Sequence, residues 1–138
     1  SGDRVEEALQ AAKGAYVVIK DENPDVVLVA NGSEVSTLAE AAPLLNEAGI
    51  KVQVVSAPSE GLFFNQSKEY QESVIPSNLP VFGLTAGLPS TLFPLVGSEG
   101  KVYGLDHFGY SAPYKVLDEK LGFTSDNIAR EIIEFVEK

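Results

Sequence analysis

Few residues in this chain have the types and spacing that chemistry requires, and the single histidine, His107, is the first of them. It follows Asp106 at the end of a predicted strand, which is where open α/β sheets bind ligands. Adjacent strand residues point to opposite faces of a sheet, so Asp106 is poorly placed to orient the imidazole. The spacing therefore favours a surface or hydrogen-bonded histidine over a catalytic one.

The second candidate is the start of a predicted helix at Asn31-Gly32-Ser33-Glu34. Backbone amides at a helix N-terminus attract anions, but the Glu34 carboxylate would compete with an anion bound there. The simpler interpretation makes Ser33 a helix cap that accepts from an amide two or three residues on. Gly32, Ser33, Glu34 and His107 remain a candidate site for a small anion or nucleotide.

The sequence does not match other known catalytic or binding motifs, because the required residues are missing at the required spacing. Residues 97–101, GSEGK, lack the first glycine of a phosphate-binding loop, because Leu95 occupies that position, and Val102 replaces the required Ser or Thr. This segment is predicted to be a turn before a strand. The chain has no metal-ligand spacing, no nucleophile elbow and no obvious acid–base pair of carboxylates. We therefore predict no catalytic, cofactor-binding or metal-binding residues in it.

The elements that would position these residues centre on residues 26–58, which read as a βαβ unit. Residues 26–30 are uniformly apolar, as expected for a strand buried on both faces. Apolar residues then recur at helical spacing from 35 to 48, and residues 51–57 form a second apolar strand. Pro43 interrupts the helix, so we expect a kink or a restart there.

The remaining elements complete a three-layer α/β/α sandwich. A strand over residues 15–20 is joined to the next by a link too short for a crossover helix, so it should run antiparallel, at an edge or beside one. Further strands are predicted at 80–86 and 102–106. Helices are predicted from Pro113 to Gly122 and from Thr124 onwards, with Thr124 as the candidate cap of the last helix. The prediction is a five-stranded mixed sheet whose first strand is antiparallel.

Composition narrows the class of protein. The chain has 138 residues, 44% of them hydrophobic, and a mean hydropathy of +0.04, which fits one globular domain. Its net charge of −10 disfavours nucleic-acid and anionic membrane partners. It has no cysteine, which fits a cytoplasmic setting. Residues 1–12 are predicted to be a linker or lead-in helix, with Ser1-Gly2 a possible expression scar, and residues 13–138 a single domain.

Several stretches of the sequence are similar to one known family. They are Gly14-Ala15-Tyr16-Val17, Ala30-Asn31-Gly32-Ser33-Glu34-Val35, residues 54–76 with Ser56-Ala57-Pro58-Ser59-Glu60 and Ser73-Val74-Ile75-Pro76, and residues 108–128 with Phe108-Gly109-Tyr110-Ser111-Ala112-Pro113, Gly122-Phe123-Thr124 and Asn127-Ile128. Together they resemble the C-terminal domain of transketolase over residues 13–138. The family's tryptophan after Ser59 is absent, and Thr85-Ala86-Gly87-Leu88-Pro89 replaces its E-A-G and aromatic segment.

The resemblance implies a role without chemistry of its own. Transketolase moves a two-carbon ketol unit between sugar phosphates with thiamine diphosphate and a divalent metal (Mg or Ca), and in this family the cofactor and catalytic residues belong to two preceding domains at a dimer interface. No catalytic residue of the family therefore maps onto this chain. The implied partners are the N-terminal and middle domains and a second copy of the enzyme, in the cytoplasm.

Two rival interpretations remain open. The chain could be a stand-alone module that binds a small anion or nucleotide, or the equivalent domain of another thiamine diphosphate enzyme, such as a deoxyxylulose phosphate synthase or a 2-oxoacid dehydrogenase. The Ser-Ala-Pro and Gly-Phe-Thr blocks favour transketolase. If other domains normally cover this one, an apolar patch should be exposed. The candidates for that patch are Phe63, Phe64, Leu88, Leu92 and Phe93.

Overall fold

The structure is a computed structural model that describes residues 9–87, 89–105 and 114–137. Its strands are β1 (Tyr16–Lys20), β2 (Val26–Ala30), β3 (Val52–Ser56), β4 (Val81–Leu84), β5 (Lys101–Gly104) and β6 (Tyr114–Val116). Its α-helices are α1 (Glu34–Glu47), α2 (Glu60–Phe64), α3 (Lys68–Val74), α4 (Phe93–Val96) and α5 (Ser125–Glu137), and a 3₁₀ turn covers Pro89–Thr91.

The strands form one mixed sheet in the order β1-β3-β2-β4-β5-β6. β1 pairs antiparallel with β3, and the other neighbouring strands pair in parallel. The predicted three-layer mixed fold and the antiparallel first strand at an edge are thus confirmed. Within the described residues the sheet has six strands rather than the predicted five.

The additional strand lies where we predicted a helix. The interval from Pro113 to Gly122 instead provides β6, which pairs with β5 through Tyr114 opposite Val102 and Val116 opposite Gly104. The edge of β5 offers backbone partners to this segment, and this pairing outweighs the weak helical spacing of its apolar residues. The Asp118 carboxylate then accepts hydrogen bonds from the Lys120 and Leu121 amides, so a turn follows the strand.

Helix α1 runs without interruption through Pro43. Of the expected kink or restart, the restart does not occur. The proline lies on the exposed side of the helix, where the backbone carbonyl four residues earlier, which loses its hydrogen bond, can meet water. The opposite side of α1 buries Leu38, Ala41 and Leu45 in the core. Burial of this face therefore outweighs the cost of the proline.

Two apolar cores lie on opposite faces of the sheet, and β2 contributes to both. Alternate residues Val26, Leu28 and Ala30 join the core beneath α1 and α5, whereas Val27 and Val29 join the core beneath α2, α3 and α4. This double burial explains why β2 is apolar throughout. No helix in the described ranges is both long and apolar enough to cross a membrane.

Candidate functional site

The chain reverses direction across the sheet between β2 and β4. From β2 it passes through α1 to β3 on one side, and it later returns to β4 on the other side. Ala30 and Leu84 pair at the carboxyl ends of these two strands. Ligands of open α/β sheets bind outside such a reversal point, so the loops that follow these residues are the first place to look for a site.

Gly32, Ser33 and Glu34 do come together there, at the start of α1. Gly32 takes a φ of 61°, which few residues other than glycine adopt readily. The Ser33 hydroxyl donates to the Glu34 carboxylate at 2.9 Å, so a negative charge lies at the helix start. A bound anion would have to displace or repel that carboxylate.

The prediction that Ser33 caps α1 is wrong. Its backbone has φ −69° and ψ −19°, which is a helical conformation, and its side chain accepts no hydrogen bond from an α1 amide. A capping serine needs an extended backbone to turn its oxygen toward the amides. Gly32 already begins the turn, and the Val35 amide donates to the Gly32 carbonyl at 3.3 Å.

The fourth predicted site residue, His107, lies outside the described residues, as does Asp106. The structure therefore leaves the imidazole's proximity to Gly32 as a prediction. The strand that leads toward this segment is placed, and the Gly104 carbonyl at its end accepts from the Leu117 amide at 2.7 Å.

The described ends of β4 and β5 leave little space between them. A Cβ atom at Gly104 would lie 2.8 Å from the Thr85 carbonyl oxygen, so a side chain there would collide with backbone. The buried Thr85 amide donates to the Tyr103 carbonyl at 3.0 Å, and its hydroxyl accepts from the Gly87 amide at 3.1 Å. These polar groups are used within the fold.

The shifted pKa values also belong to structural contacts. A hydrogen bond from the Val52 amide, assisted by one from Asn46, lowers the pKa of Asp21, which follows β1 and lies at the amino end of β3. Hydrogen bonds from the backbone and side chain of Ser77 lower the pKa of Glu72. Carboxylates with shifted pKa values often mark active sites, but these two stabilise turns through their hydrogen bonds.

A charged network beside β6 was missed by the sequence analysis. Lys115 donates to the buried Glu131 at 2.8 Å, and this bond raises the pKa of Lys115. Burial, reinforced by the charges of Glu131 and Glu134, raises the pKa of Tyr103 to about 12. The network joins β6 to α5, and its members are too far apart in sequence for spacing to predict it.

A concave apolar groove lies between α2–α3 and α4, and we call it the α2–α4 groove. It encloses about 420 Å³. Its lining combines the apolar residues Phe63, Phe64, Ile75, Leu79, Val81, Leu95 and Val96 with polar and charged residues that include Lys68, Gln71, Glu72, Ser77 and Glu99. Val81 begins β4 and Glu99 precedes β5, so this side of the groove lies at the amino ends of these strands. Its other wall includes α2, which follows the carboxyl end of β3.

The expected apolar patch is only partly present. Phe63 and Leu92 are buried and Phe93 is partly buried, because they form the floor between the helices and the sheet. Phe64 has 44% of its surface exposed, and Leu88 lies outside the described residues. The sequence could not distinguish Phe63 from Phe64, since either could face the core from a short helix.

These observations define the class of protein. It is a three-layer α/β domain whose described polar groups at the strand ends form hydrogen bonds within the fold. Among residues 9–87, 89–105 and 114–137, no group of three His, Cys, Asp or Glu side chains could hold a metal ion. The family model for the transketolase-like C-terminal domain matches residues 14–124. The chain belongs to the transketolase C-terminal domain family.

Individual relatives agree with the family model. Transketolase from Staphylococcus aureus strain MW2 is 44% identical over 133 residues, which cover 95% of this chain and 20% of that protein. The solved transketolase of Leishmania mexicana superposes with a TM-score of 0.72 at 33% identity, over 94% of this chain and 19% of that one. The chain thus spans about a fifth of the length of the relatives it matches.

A more distant neighbour supports the fold alone. A split-gene transketolase, solved as an inactive beta4 tetramer, superposes with a TM-score of 0.63 at 23% identity. The match covers 91% of this chain and 43% of that one.

Proposed function

We propose that this chain acts as the non-catalytic C-terminal domain of a transketolase, a transferase that moves two-carbon ketol units between sugar phosphates in the pentose phosphate pathway. One observation carries the proposal: 95% of the chain aligns at 44% identity with a fifth of a transketolase. Identity at that level across a whole domain favours a shared role in the parent protein over a shared fold alone.

The parent enzyme is proposed to use thiamine diphosphate with Mg²⁺ or Ca²⁺, as the resemblance implies. The described residues of this chain do not fit that cofactor. They offer no cluster of oxygen ligands for the metal, and the Glu34 carboxylate occupies the helix start that would otherwise attract a diphosphate. We therefore assign the cofactor to other parts of the parent enzyme.

The proposed partners are the N-terminal and middle domains of the same enzyme, assembled as a cytoplasmic homodimer. The chain matches only a fifth of its relatives, which leaves most of a transketolase to supply such partners. The lack of cysteine agrees with a reducing compartment. The division into a lead-in segment at residues 1–12 and a domain at 13–138 stays a prediction.

The rival thiamine enzymes are less well supported, because the family model and the relatives are those of transketolases. The stand-alone anion-binding module at Gly32, Ser33, Glu34 and His107 stays a prediction. The carboxylate of Glu34 beside Ser33 counts against it.

Calorimetric titration of the purified chain with thiamine diphosphate and Mg²⁺, beside a coupled ketol-transfer assay, tests the proposal. We expect no heat of tight binding and no turnover above the blank. The same titration with inorganic phosphate tests the anion site. Tight binding of the cofactor, or turnover by the chain alone, would overturn the assignment of a non-catalytic role.

A further inference from the structure

We propose that the α2–α4 groove is the docking surface for the part of the parent polypeptide that precedes this domain, a proposal that rests on the function proposed above. An apolar side chain of that preceding part would fill the groove beside Phe64. The groove's shape, the path by which the chain enters the domain, and the charges around the groove favour this occupant.

The groove is a preformed surface with rigid walls. The Gln71 side-chain amide donates to the carbonyls of Phe64 and Gln66 at 3.2 and 2.9 Å, which fixes α2 against α3. Glu72 accepts from both the amide and the hydroxyl of Ser77. Rigid walls lower the conformational cost of binding, since little has to be ordered when a partner docks.

The far end of the groove is equally fixed. A Cβ atom at Gly100 would lie 2.2 Å from the Val96 carbonyl oxygen and 2.6 Å from that of Val81. Only glycine allows this close approach, so the turn that follows α4 is held tightly against the start of β4. The buried side chains of Phe63, Val81 and Val96 line the groove between the two ends.

The outer surface of α2 keeps apolar side chains in water. Phe64 and Leu62 are 44% and 46% exposed, although they are two residues apart on a helix of five residues. Phe64 borders the groove directly. An exposed aromatic residue beside an apolar cleft is typical of the anchors of protein interfaces.

The chain enters the domain at the same two helices. The Ser59 amide, at the start of α2, donates to the Gly14 carbonyl at 2.9 Å. The Lys13 ammonium lies 4.7 Å from the centre of the Tyr70 ring, on α3. The polypeptide that precedes Lys13 in the parent enzyme therefore enters this domain beside the helices that form one wall of the groove.

Charge favours this occupant over a second copy of the chain. Two copies would each bring a net charge of −10, and their fields would repel. Two carboxylates, Glu72 and Glu99, and one ammonium, Lys68, border the groove. The occupant is therefore expected to carry an apolar anchor with basic rather than acidic neighbours.

The test measures binding of this chain to the remainder of the S. aureus transketolase, with its matching fifth removed. Phe64→Glu places a charge at the groove, and Leu121→Glu is the matched control. Leu121 has a nearly equal exposure of 45% and precedes α5, which packs on the other face of the sheet. We expect Phe64→Glu to weaken binding about tenfold or more and Leu121→Glu to leave it within about twofold.

Each result has a distinct meaning. Equal binding by the wild type and Phe64→Glu would overturn the groove while leaving the proposed function intact, whereas no binding by any variant would count against both. Self-association lost in Phe64→Glu would make a second copy the occupant and overturn the proposal. Should the remainder aggregate, the same two substitutions are made in a full-length chimaera, in which this chain replaces the matching fifth of the S. aureus transketolase. Thermal unfolding then compares the two variants, and a larger loss of Tm for Phe64→Glu supports docking at the groove.

Discussion

The hydroxyl of Tyr70 donates a hydrogen bond of 2.7 Å to the carbonyl oxygen of Ala15, 55 residues earlier in the chain. This bond ties α3 to the start of the edge strand β1. The same ring lies under the Lys13 ammonium, and burial raises the pKa of the Tyr70 hydroxyl. One aromatic side chain therefore holds the segment by which the chain enters the domain.

We predict that Tyr70→Phe lowers the free energy of unfolding by about 1 kcal/mol, because it removes the donor and leaves the Ala15 carbonyl without it. Lys13→Met removes the cation but keeps the hydrogen bond, so a smaller loss of roughly 0.5 kcal/mol is expected. Urea titrations of both variants measure the difference. A larger loss for Lys13→Met would contradict this ordering.

Gly14→Ala should be among the most harmful small changes in the chain. A Cβ atom there would lie 2.2 Å from the Phe63 backbone nitrogen, and φ is 89°. Gly49 is the matched control, since its φ is 84° and no atom lies near its Cβ position. We expect a loss of about 1 to 2 kcal/mol for Gly49→Ala and about 3 kcal/mol or more for Gly14→Ala. Equal melting temperatures would contradict the close contact.

Two predicted helix caps provide a direct comparison. The Thr124 hydroxyl accepts from the Asn127 amide at 3.2 Å, so its prediction as a cap is confirmed. Thr124→Ala should therefore cost about 1 kcal/mol of stability. Ser33→Ala should change stability by less than about 0.5 kcal/mol, because no capping bond is lost. A cost for Ser33→Ala as large as that for Thr124→Ala would restore the original assignment.

The carboxylate of Asp21 should account for part of the loss of stability at acid pH. Its carboxylate accepts from the Val52 amide at 2.8 Å and from Asn46 at 2.7 Å, and these bonds lower its pKa below the usual 3.8. Its stabilising contribution is thus complete above 3.8 and is lost as the pH falls through the lowered value. Asp21→Asn should flatten the decline of unfolding free energy at acid pH, and Glu22→Gln, an exposed neighbour, should not. If the free energy of unfolding fell equally steeply with decreasing pH in the wild type and in Asp21→Asn, the assignment would be contradicted.

The central part of the fold could be predicted because its signals are local. Residues 26–30 are apolar at every position, and Asp21 to Asp25 form a link too short for a crossover, so β2 and the direction of β1 follow directly. Residues 114–116 were predicted wrongly, because three strand residues carry less periodic signal than the apolar residues around them. Their pairing with β5 is a tertiary contact that no local pattern encodes.

The site was harder to predict than the fold. The conformation of Ser33 depends on where Gly32 turns the chain, which one sequence does not reveal. The α2–α4 groove brings Phe64 together with Glu99, 35 residues further along the chain, through the packing of three helices on one face of the sheet. Only the family resemblance indicated that this domain would expose apolar surface that other domains cover in the parent enzyme.

The central claim is that this chain serves as a transketolase C-terminal domain, and a chimaera tests it most directly. The matching fifth of the S. aureus transketolase is replaced by this chain, and ketol transfer is measured beside the intact enzyme and the form without that fifth. The account predicts that the chimaera retains activity within about tenfold of the intact enzyme and that it is more resistant to heat than the shortened form. A folded chimaera with no more activity or heat resistance than the shortened form would contradict it.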